Sequence, residues 1–380
     1  MRIAYVYDAV YPEITGGVER RVWELARRLV ARGHEVHLFG MHLWKGEKTI
    51  VREGVFLHGI CRPYRLYNKG KRRFFPSLIF GAVTFFALLR ERFDVVDCQQ
   101  FPYLSAFTAA LSCKISGSPL IITWHEVWGD YWYEYLGSSG AAGKCIERIV
   151  ARIPAYTIAV SKTTRDGLTA LTDERDIAII PNGISSAEID SVPPSEVESD
   201  LIFVGRLIRE KHVDVLIDAI ALIKDRFPDI RCLIIGDGPE RRNLELRAKE
   251  RGIVENIVFT GFFHSSDDVI SRLKSSRVFV FPSTREGFGI SVLEALACGL
   301  PVVTVDHPKN ASKAFISDGC GALSTLDAGD LSAQIQAVLE EKGNDWSRCC
   351  MRAREYEWEN ITDLVENYYR RVHDRDLDQG

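Results

Sequence analysis

From Arg2 to Tyr7 the chain reads as a strand, after which it turns polar. Pro12 to Gly17 reads as a loop and Glu19–Arg32 as a helix. In that helix Val22, Leu25, Ala26, Leu29 and Val30 recur at helical spacing, and Arg20, Arg21, Glu24, Arg27 and Arg28 take the opposite face. Gly33 ends the helix, and Glu35–Phe39 returns as a strand. Further strands are predicted at Val95–Cys98, Leu120–Thr123, Thr157–Val160 and Ile177–Ile180. Such a strand–helix–strand rhythm builds a parallel sheet covered on both faces.

The rhythm breaks at Ser185–Asp200. There Pro193-Pro194 lies among Glu188, Asp190, Glu196, Glu198 and Asp200 with few large apolar residues, which predicts a linker. A second series follows, with strands at Leu201–Val204, Cys232–Ile235, Ile257–Thr260, Val278–Phe281 and Pro301–Val305. Its helices fall near Val213–Asp225, Glu240–Arg251, Asp267–Lys274, Ile290–Cys298 and Leu331–Glu340. The expected fold is α/β: two doubly wound, Rossmann-like domains facing a central cleft. The first spans residues 1–184 and the second 185–355. A last helix, about Glu359–Val372 within a C-terminal segment of about 356–380, is expected to pack back on the first domain. The tail Asp374–Asp378 reads as frayed.

A chain of 380 residues suggests two or three domains, and 46% hydrophobic with 26% charged residues is an ordinary globular balance. That excludes disordered, collagenous and disulfide-scaffold classes. Met1-Arg2 leads into the first strand with no leader pattern, and the nine cysteines form no Cys-x-x-Cys pair. Both features predict a reducing, cytoplasmic setting. Net charge divides unevenly. Residues 1–184 hold 24 Lys and Arg against 18 Asp and Glu, or +6, whereas residues 185–380 hold 24 against 34, or −10. The first half is therefore expected to meet something anionic.

The strongest chemical signal is Arg285-Glu286-Gly287-Phe288-Gly289-Ile290-Ser291-Val292-Leu293-Glu294, directly after a buried strand. Ligands of open α/β sheets bind beyond the carboxyl ends of strands. Gly287 and Gly289 let the backbone approach, and a helix starting near Ile290 offers N–H groups to a phosphate. Glu294 is placed to accept from ribose hydroxyls. Arg206 and Lys211 follow another strand end, five residues apart, where the two cations suit one diphosphate. His125, in Thr123-Trp124-His125-Glu126, also follows a strand. As a glycosidase pair, Glu286 and Glu294 stand too far apart, since eight residues of helix rise about 12 Å.

Glu286-x7-Glu294, continued by Ala295-Leu296-Ala297-Cys298-Gly299-Leu300-Pro301-Val302-Val303, resembles the retaining nucleotide-sugar glycosyltransferases of family 4, which have the GT-B fold. Gly16-Gly17-Val18-Glu19, Arg32-Gly33-His34-Glu35-Val36, Ile180-Pro181-Asn182-Gly183-Ile184, Phe203-Val204-Gly205-Arg206-Leu207 with Lys211, Gly236-Asp237-Gly238-Pro239 and Phe259-Thr260-Gly261-Phe262 match in order over nearly the whole chain. The resemblance implies a donor site of Gly16, Gly17, Arg206, Lys211, Phe262, Gly287, Phe288, Gly289, Ile290 and Glu294. It also implies that His125 contacts the donor sugar near the reacting carbon and that Glu286 holds sugar hydroxyls. Transfer would proceed with retention by same-face attack, the donor phosphate helping to accept the acceptor's proton. The donor is expected to be a GDP- or UDP-linked hexose, of mannose or glucose type, and the acceptor a glycan or a lipid-linked acceptor. No Asp-x-Asp stands at a strand end, so no metal or other cofactor is required.

One departure bears on the sugar. Relatives often carry a Gly-Gly pair and a glutamate after this strand, where this chain has His307-Pro308-Lys309-Asn310-Ala311-Ser312-Lys313. Other readings of the same residues are a GT-B epimerase or phosphorylase and a catalytically dead, membrane-associated binding protein. A dinucleotide oxidoreductase is disfavoured, because Gly236-Asp237-Gly238 meets Arg241 where a third glycine belongs. Arg62–Phe75 carries six cations and no acid, which suits an anionic membrane surface as well as a solvated loop. The apolar stretch Phe74–Leu89 is short for a membrane span and reads as a core helix of the first domain. Peripheral association with the inner membrane face follows from that reading, and nucleic acid is not an expected partner.

Overall fold

The computed structural model describes residues 1–68, 71–172, 176–263, 265–316, 319–341 and 347–379. The chain divides into two compact units, Met1–Asn182 with Trp358–Gly380, and Gly183–Glu357. The strands of the first unit are β1 (Arg2–Val6), β2 (Glu35–Met41), β3 (Thr49–Arg52), β4 (Val55–Cys61), β5 (Tyr67–Asn68), β6 (Lys71–Arg72), β7 (Val95–Gln99), β8 (Leu120–Trp124), β9 (Tyr156–Ala159) and β10 (Ile177–Ile179). Its main sheet runs in the order β10-β9-β8-β7-β1-β2-β4-β3. All neighbours in it are parallel except β3, which folds back on β4 as a hairpin. Alternation along β1 feeds two cores. Ala4 and Val6 enter the layer with Phe80, Trp124 and Leu168, whereas Ile3 and Tyr5 enter the layer with Leu25, Leu29, Trp358 and Tyr369.

Helix Gly17–Ala31 departs from the expected polar face at two positions. Arg21 and Glu24 are buried. Arg21 donates to the carbonyl of Pro181 and to Asn182 Oδ1, and Glu24 pairs with Arg27 and Arg28, so each charge is paid for by partners that periodicity does not show. Helix Phe74–Leu88 is only partly a core helix. It buries Phe80, Thr84 and Leu88 but leaves Phe74, Phe75, Leu78 and Phe86 exposed. The C-terminal helix Trp358–Gln379 lies on the first unit, burying Trp358, Ile361, Val365, Tyr369 and Val372 at helical spacing. It continues through the segment read as frayed, because those last turns extend a helix already anchored by that apolar stripe.

The second unit contains β11 (Ser199–Val204), β12 (Cys232–Ile235), β13 (Ile257–Gly261), β14 (Ser276–Phe281), β15 (Val302–Val305) and β16 (Gly321–Ser324) in one parallel sheet, ordered β13-β12-β11-β14-β15-β16. β16 has no apolar run to announce it. The segment read as a linker belongs to this unit. Ser185 caps helix Ser186–Ser191, and the amides of Ser195 and Ser199 bond the carbonyls of Ser271 and Ser275. Among the described residues no helix is long and apolar enough to cross a membrane.

Among the parallel strands, the order reverses once in each sheet, between β1 and β7 in the first unit and between β11 and β14 in the second. At such a reversal the connections diverge to opposite sides and open a crevice at the carboxyl ends of the two strands.

Candidate functional site

In the second unit the residues singled out by sequence converge on that reversal. Arg206 and Lys211 follow β11, and the Glu286–Glu294 segment follows β14. Lys211 and Glu286 form an ion pair that is mostly shielded from solvent, and the Lys211 ammonium lies 4.8 Å from the centre of the Phe281 ring. Ser283 donates to Glu286 Oε1 at 3.1 Å. The sequence assigned Lys211 to phosphate and Glu286 to sugar, and the structure joins them. Arg206 is exposed and makes no ion pair among the described residues.

The backbone of Glu286 is clamped by the loop in which this chain departs from its relatives. Glu286 N donates to the Lys309 carbonyl at 2.9 Å, and Ala311 N donates to the Glu286 carbonyl at 3.0 Å. Asn310, fully buried, holds that loop: its Nδ2 donates to the Val305 carbonyl and Thr304 Oγ1, and its Oδ1 accepts from Ser312. Lys313 is paired with Asp306 at 2.6 Å, and Lys309 is exposed. Gly289 has φ of +95°, and a Cβ there would lie 2.5 Å from Ser312 Cβ, so only glycine fits. Helix Ile290–Ala297 starts directly after it with no side-chain cap, and Glu294 is buried in its second turn. Phe288 is buried against Phe315 and Tyr356, whereas Phe262 is exposed beyond β13. Glu286 precedes the helix, so the helical-rise argument against a glycosidase pair does not apply to this geometry.

In the first unit, Gly16 and Gly17 open helix Gly17–Ala31 after β1, and His125 follows β8. A Cβ on Gly16 would meet the Glu19 carboxylate at 2.5 Å. The His125 ring lies with Nε2 2.7 Å from Gln99 Oε1, and its amide donates to Gln100 Oε1. Burial pushes its imidazole down to about 3, and the Arg21 charge acts in the same direction. The loop beyond His125 is held by Glu147, a fully buried carboxylate that accepts from Trp128 N, Gly129 N and the Tyr103 hydroxyl. Sequence reading passed over Asp97, Gln99, Glu147 and Asn310. A carboxylate and an amide inside the buried run Val95–Gln99 were the available signal for the first two. Among the described residues no group of three or more His, Cys, Asp or Glu side chains is placed to hold a metal ion.

Two parallel-sheet Rossmann-like domains, with glycine loops and charged residues gathered at the strand-order reversals, define the class of GT-B glycosyltransferases. A family profile described as Glycosyltransferase Family 4 matches residues 15–188, and one described as Glycosyl transferases group 1 matches residues 186–356. The GDP-mannose-dependent alpha-(1-6)-phosphatidylinositol dimannoside mannosyltransferase of Mycobacterium tuberculosis is 34% identical over 374 residues, covering 94% of this chain and 93% of that protein. One polypeptide of the phosphatidylinositol N-acetylglucosaminyltransferase of Arabidopsis thaliana is 25% identical over 98% of this chain and 82% of its own length. Among solved structures, the sucrose-phosphate synthase of Thermosynechococcus elongatus superposes with a TM-score of 0.80 at 20% identity, covering 98% of both chains. Anabaena HepE in complex with UDP and glucose gives 0.73 at 18% identity, over 96% of this chain and 98% of its own. The chain belongs to glycosyltransferase family 4 and is a glycosyltransferase.

Proposed function

We propose that this enzyme transfers a mannosyl group from GDP-mannose, with retention, to a lipid-linked acceptor at an anionic membrane surface, without a metal. The observation that carries the reading of the donor site is the convergence of Arg206, Lys211, Glu286, Gly289 and Glu294 on the one strand-order reversal of the second unit. There the cations would offset charge on the leaving diphosphate, the amides at the start of helix Ile290–Ala297 would add donors, and Glu294 would accept from the ribose. Glu286, aligned by Lys211, Ser283 and the 309–311 backbone, would hold sugar hydroxyls. The family resemblance assigns His125 to the donor sugar and Gly16 and Gly17 to donor binding.

Mannose is favoured over glucose-type sugars by the 34% identity to a relative named as GDP-mannose-dependent. A lipid-linked acceptor is supported by the phosphatidylinositol in the names of several relatives. Exposed Phe74, Phe75, Leu78 and Phe86, beside exposed Arg62, Arg65 and Arg73, suit a lipid surface. Arg72 of the same basic segment is turned inward onto buried Asp8, and Lys69 lies outside the described residues.

The test is a donor panel with phosphatidylinositol-based acceptors in vesicles, comparing GDP-mannose, UDP-glucose and UDP-N-acetylglucosamine. Transfer from GDP-mannose to give an α-linked product is expected. Transfer only from a UDP-sugar would refute the donor assignment, and a β-linked product would refute retention.

A further inference from the structure

The first unit contains a buried polar chain that runs from the C-terminal helix to His125. Asp97, 3% exposed on β7, accepts from three donors. The Tyr369 hydroxyl donates to its Oδ2 at 2.5 Å, and Thr123 Oγ1 and Gln99 Nε2 donate to its Oδ1 at 2.7 and 2.9 Å. The Tyr5 hydroxyl lies 3.1 Å from that of Tyr369. Arg21, 2% exposed, supplies the positive charge that acts on Asp97. Burial pushes the Asp97 carboxyl up, but the Tyr369 and Thr123 hydroxyls that converge on it and the Arg21 charge favour its ionised form, which only accepts.

That carboxylate decides how Gln99 is turned. Its amide nitrogen must face Asp97, because the opposite flip would set two acceptors against each other. The amide oxygen therefore faces His125, 2.7 Å from Nε2. An amide oxygen cannot donate, so Nε2 carries the proton. In a neutral ring Nδ1 then keeps its lone pair, and among the described residues no group bonds it.

We infer that Asp97, Gln99 and Tyr369 are positioning residues that hold His125 in a single neutral tautomer, protonated on Nε2, so that it meets a substrate hydroxyl as an acceptor through Nδ1. Tyr369 comes from the far end of the chain, 272 residues from Asp97. The C-terminal helix thus contributes to the site as well as to the core of the first unit. The tautomer follows from an ionised Asp97 and the hydrogen bonds around it; its consequence for turnover rests on the proposed contact between His125 and the donor sugar.

The deciding measurement is a long-range ¹H–¹⁵N spectrum of the full chain labelled with ¹⁵N-histidine, with His125 assigned as the signal lost in His125→Gln. At neutral pH, Nε2 is expected at the shift of a protonated ring nitrogen and Nδ1 at that of an unprotonated one. Gln99→Met should move both toward averaged values. It should also lower kcat for nucleoside diphosphate release from GDP-mannose by about tenfold or more, with KM for the donor changed less than about twofold. Tyr369→Phe, which removes one donor from Asp97, should shift the His125 signals in the same direction by less. A wild-type ring protonated on Nδ1, or one averaging both forms, would overturn the inference. So would wild-type His125 signals in Gln99→Met. The wild-type spectrum needs neither a variant nor a substrate, so its failure is distinct from failure of the mannosyl-transfer reading, which would appear as inactivity with GDP-mannose.

Discussion

Lys211 and Glu286 are 75 residues apart in sequence, and each is the other's main compensation for being shielded from water. Removing one partner of such a pair leaves an uncompensated charge, whereas removing both does not. Lys211→Met is therefore expected to lower unfolding free energy by about 3 kcal/mol. Lys211→Met with Glu286→Gln should recover most of that loss in urea titrations while restoring no turnover. A double variant as unstable as the single one would show that the pair does not act as a unit. Both residues were legible in the sequence because charges beside glycines at strand ends have few structural duties. Their pairing was not, since it depends on β11 and β14 lying side by side. Asn310 was illegible for a related reason: its bonds to Thr304, Val305 and Ser312 are local, but their effect is on Glu286 in another segment.

Among elements, the C-terminal helix shows what periodicity can and cannot give. Ile361, Leu364, Val365 and Tyr368–Tyr369 announced an apolar stripe, and the structure buries all of these except Leu364. What the stripe packs against, and the charged seam beside it, are tertiary facts. Arg28 on helix Gly17–Ala31 pairs with Glu359, and Arg32, just past the end of that helix, with Asp363 and Glu366. The Arg370 guanidinium beside Glu366, with Arg32 bonded to it and His34 close by, brings its carboxyl down to about 2. A carboxylate with a depressed folded pKa stabilises fully above its unfolded value, about 4.3, and loses that contribution as pH falls toward 2. Glu366→Gln should cost roughly 1–3 kcal/mol at neutral pH. The gap between variant and wild type should close between about pH 4.5 and 2 in denaturant titrations. A gap independent of pH would mean that Glu366 acts through packing rather than charge.

At the scale of the whole molecule, the charge asymmetry read from sequence shrinks once the chain is divided as it folds. The first unit takes in the C-terminal helix with its six acids and three bases, giving 27 Lys and Arg against 24 Asp and Glu, or +3. The second unit holds 21 against 28, or −7. A unit so nearly neutral does not bind an anionic surface through its net field, so the proposed membrane association would rest on a local patch. Arg62, Arg65 and Arg73 supply charge there, and Phe75, Leu78 and Phe86 on helix Phe74–Leu88 supply apolar area. Burying one phenylalanine is worth about 1.5–3 kcal/mol when complete, and each arginine near an anionic headgroup about 1 kcal/mol. The apolar contribution is therefore at least comparable, and it survives salt while the charge contribution is screened. Phe75→Ser with Phe86→Ser should lower partitioning into phosphatidylinositol-containing vesicles by about tenfold or more, at low and high salt alike, with Tm little changed because both side chains are already exposed. Arg62→Ser with Arg65→Ser should weaken binding at low salt and have little effect near 0.5 M. Sedimentation with vesicles measures both. Phenylalanine variants that partition like wild type would remove this helix from the proposed membrane-facing surface and count against the proposed membrane association.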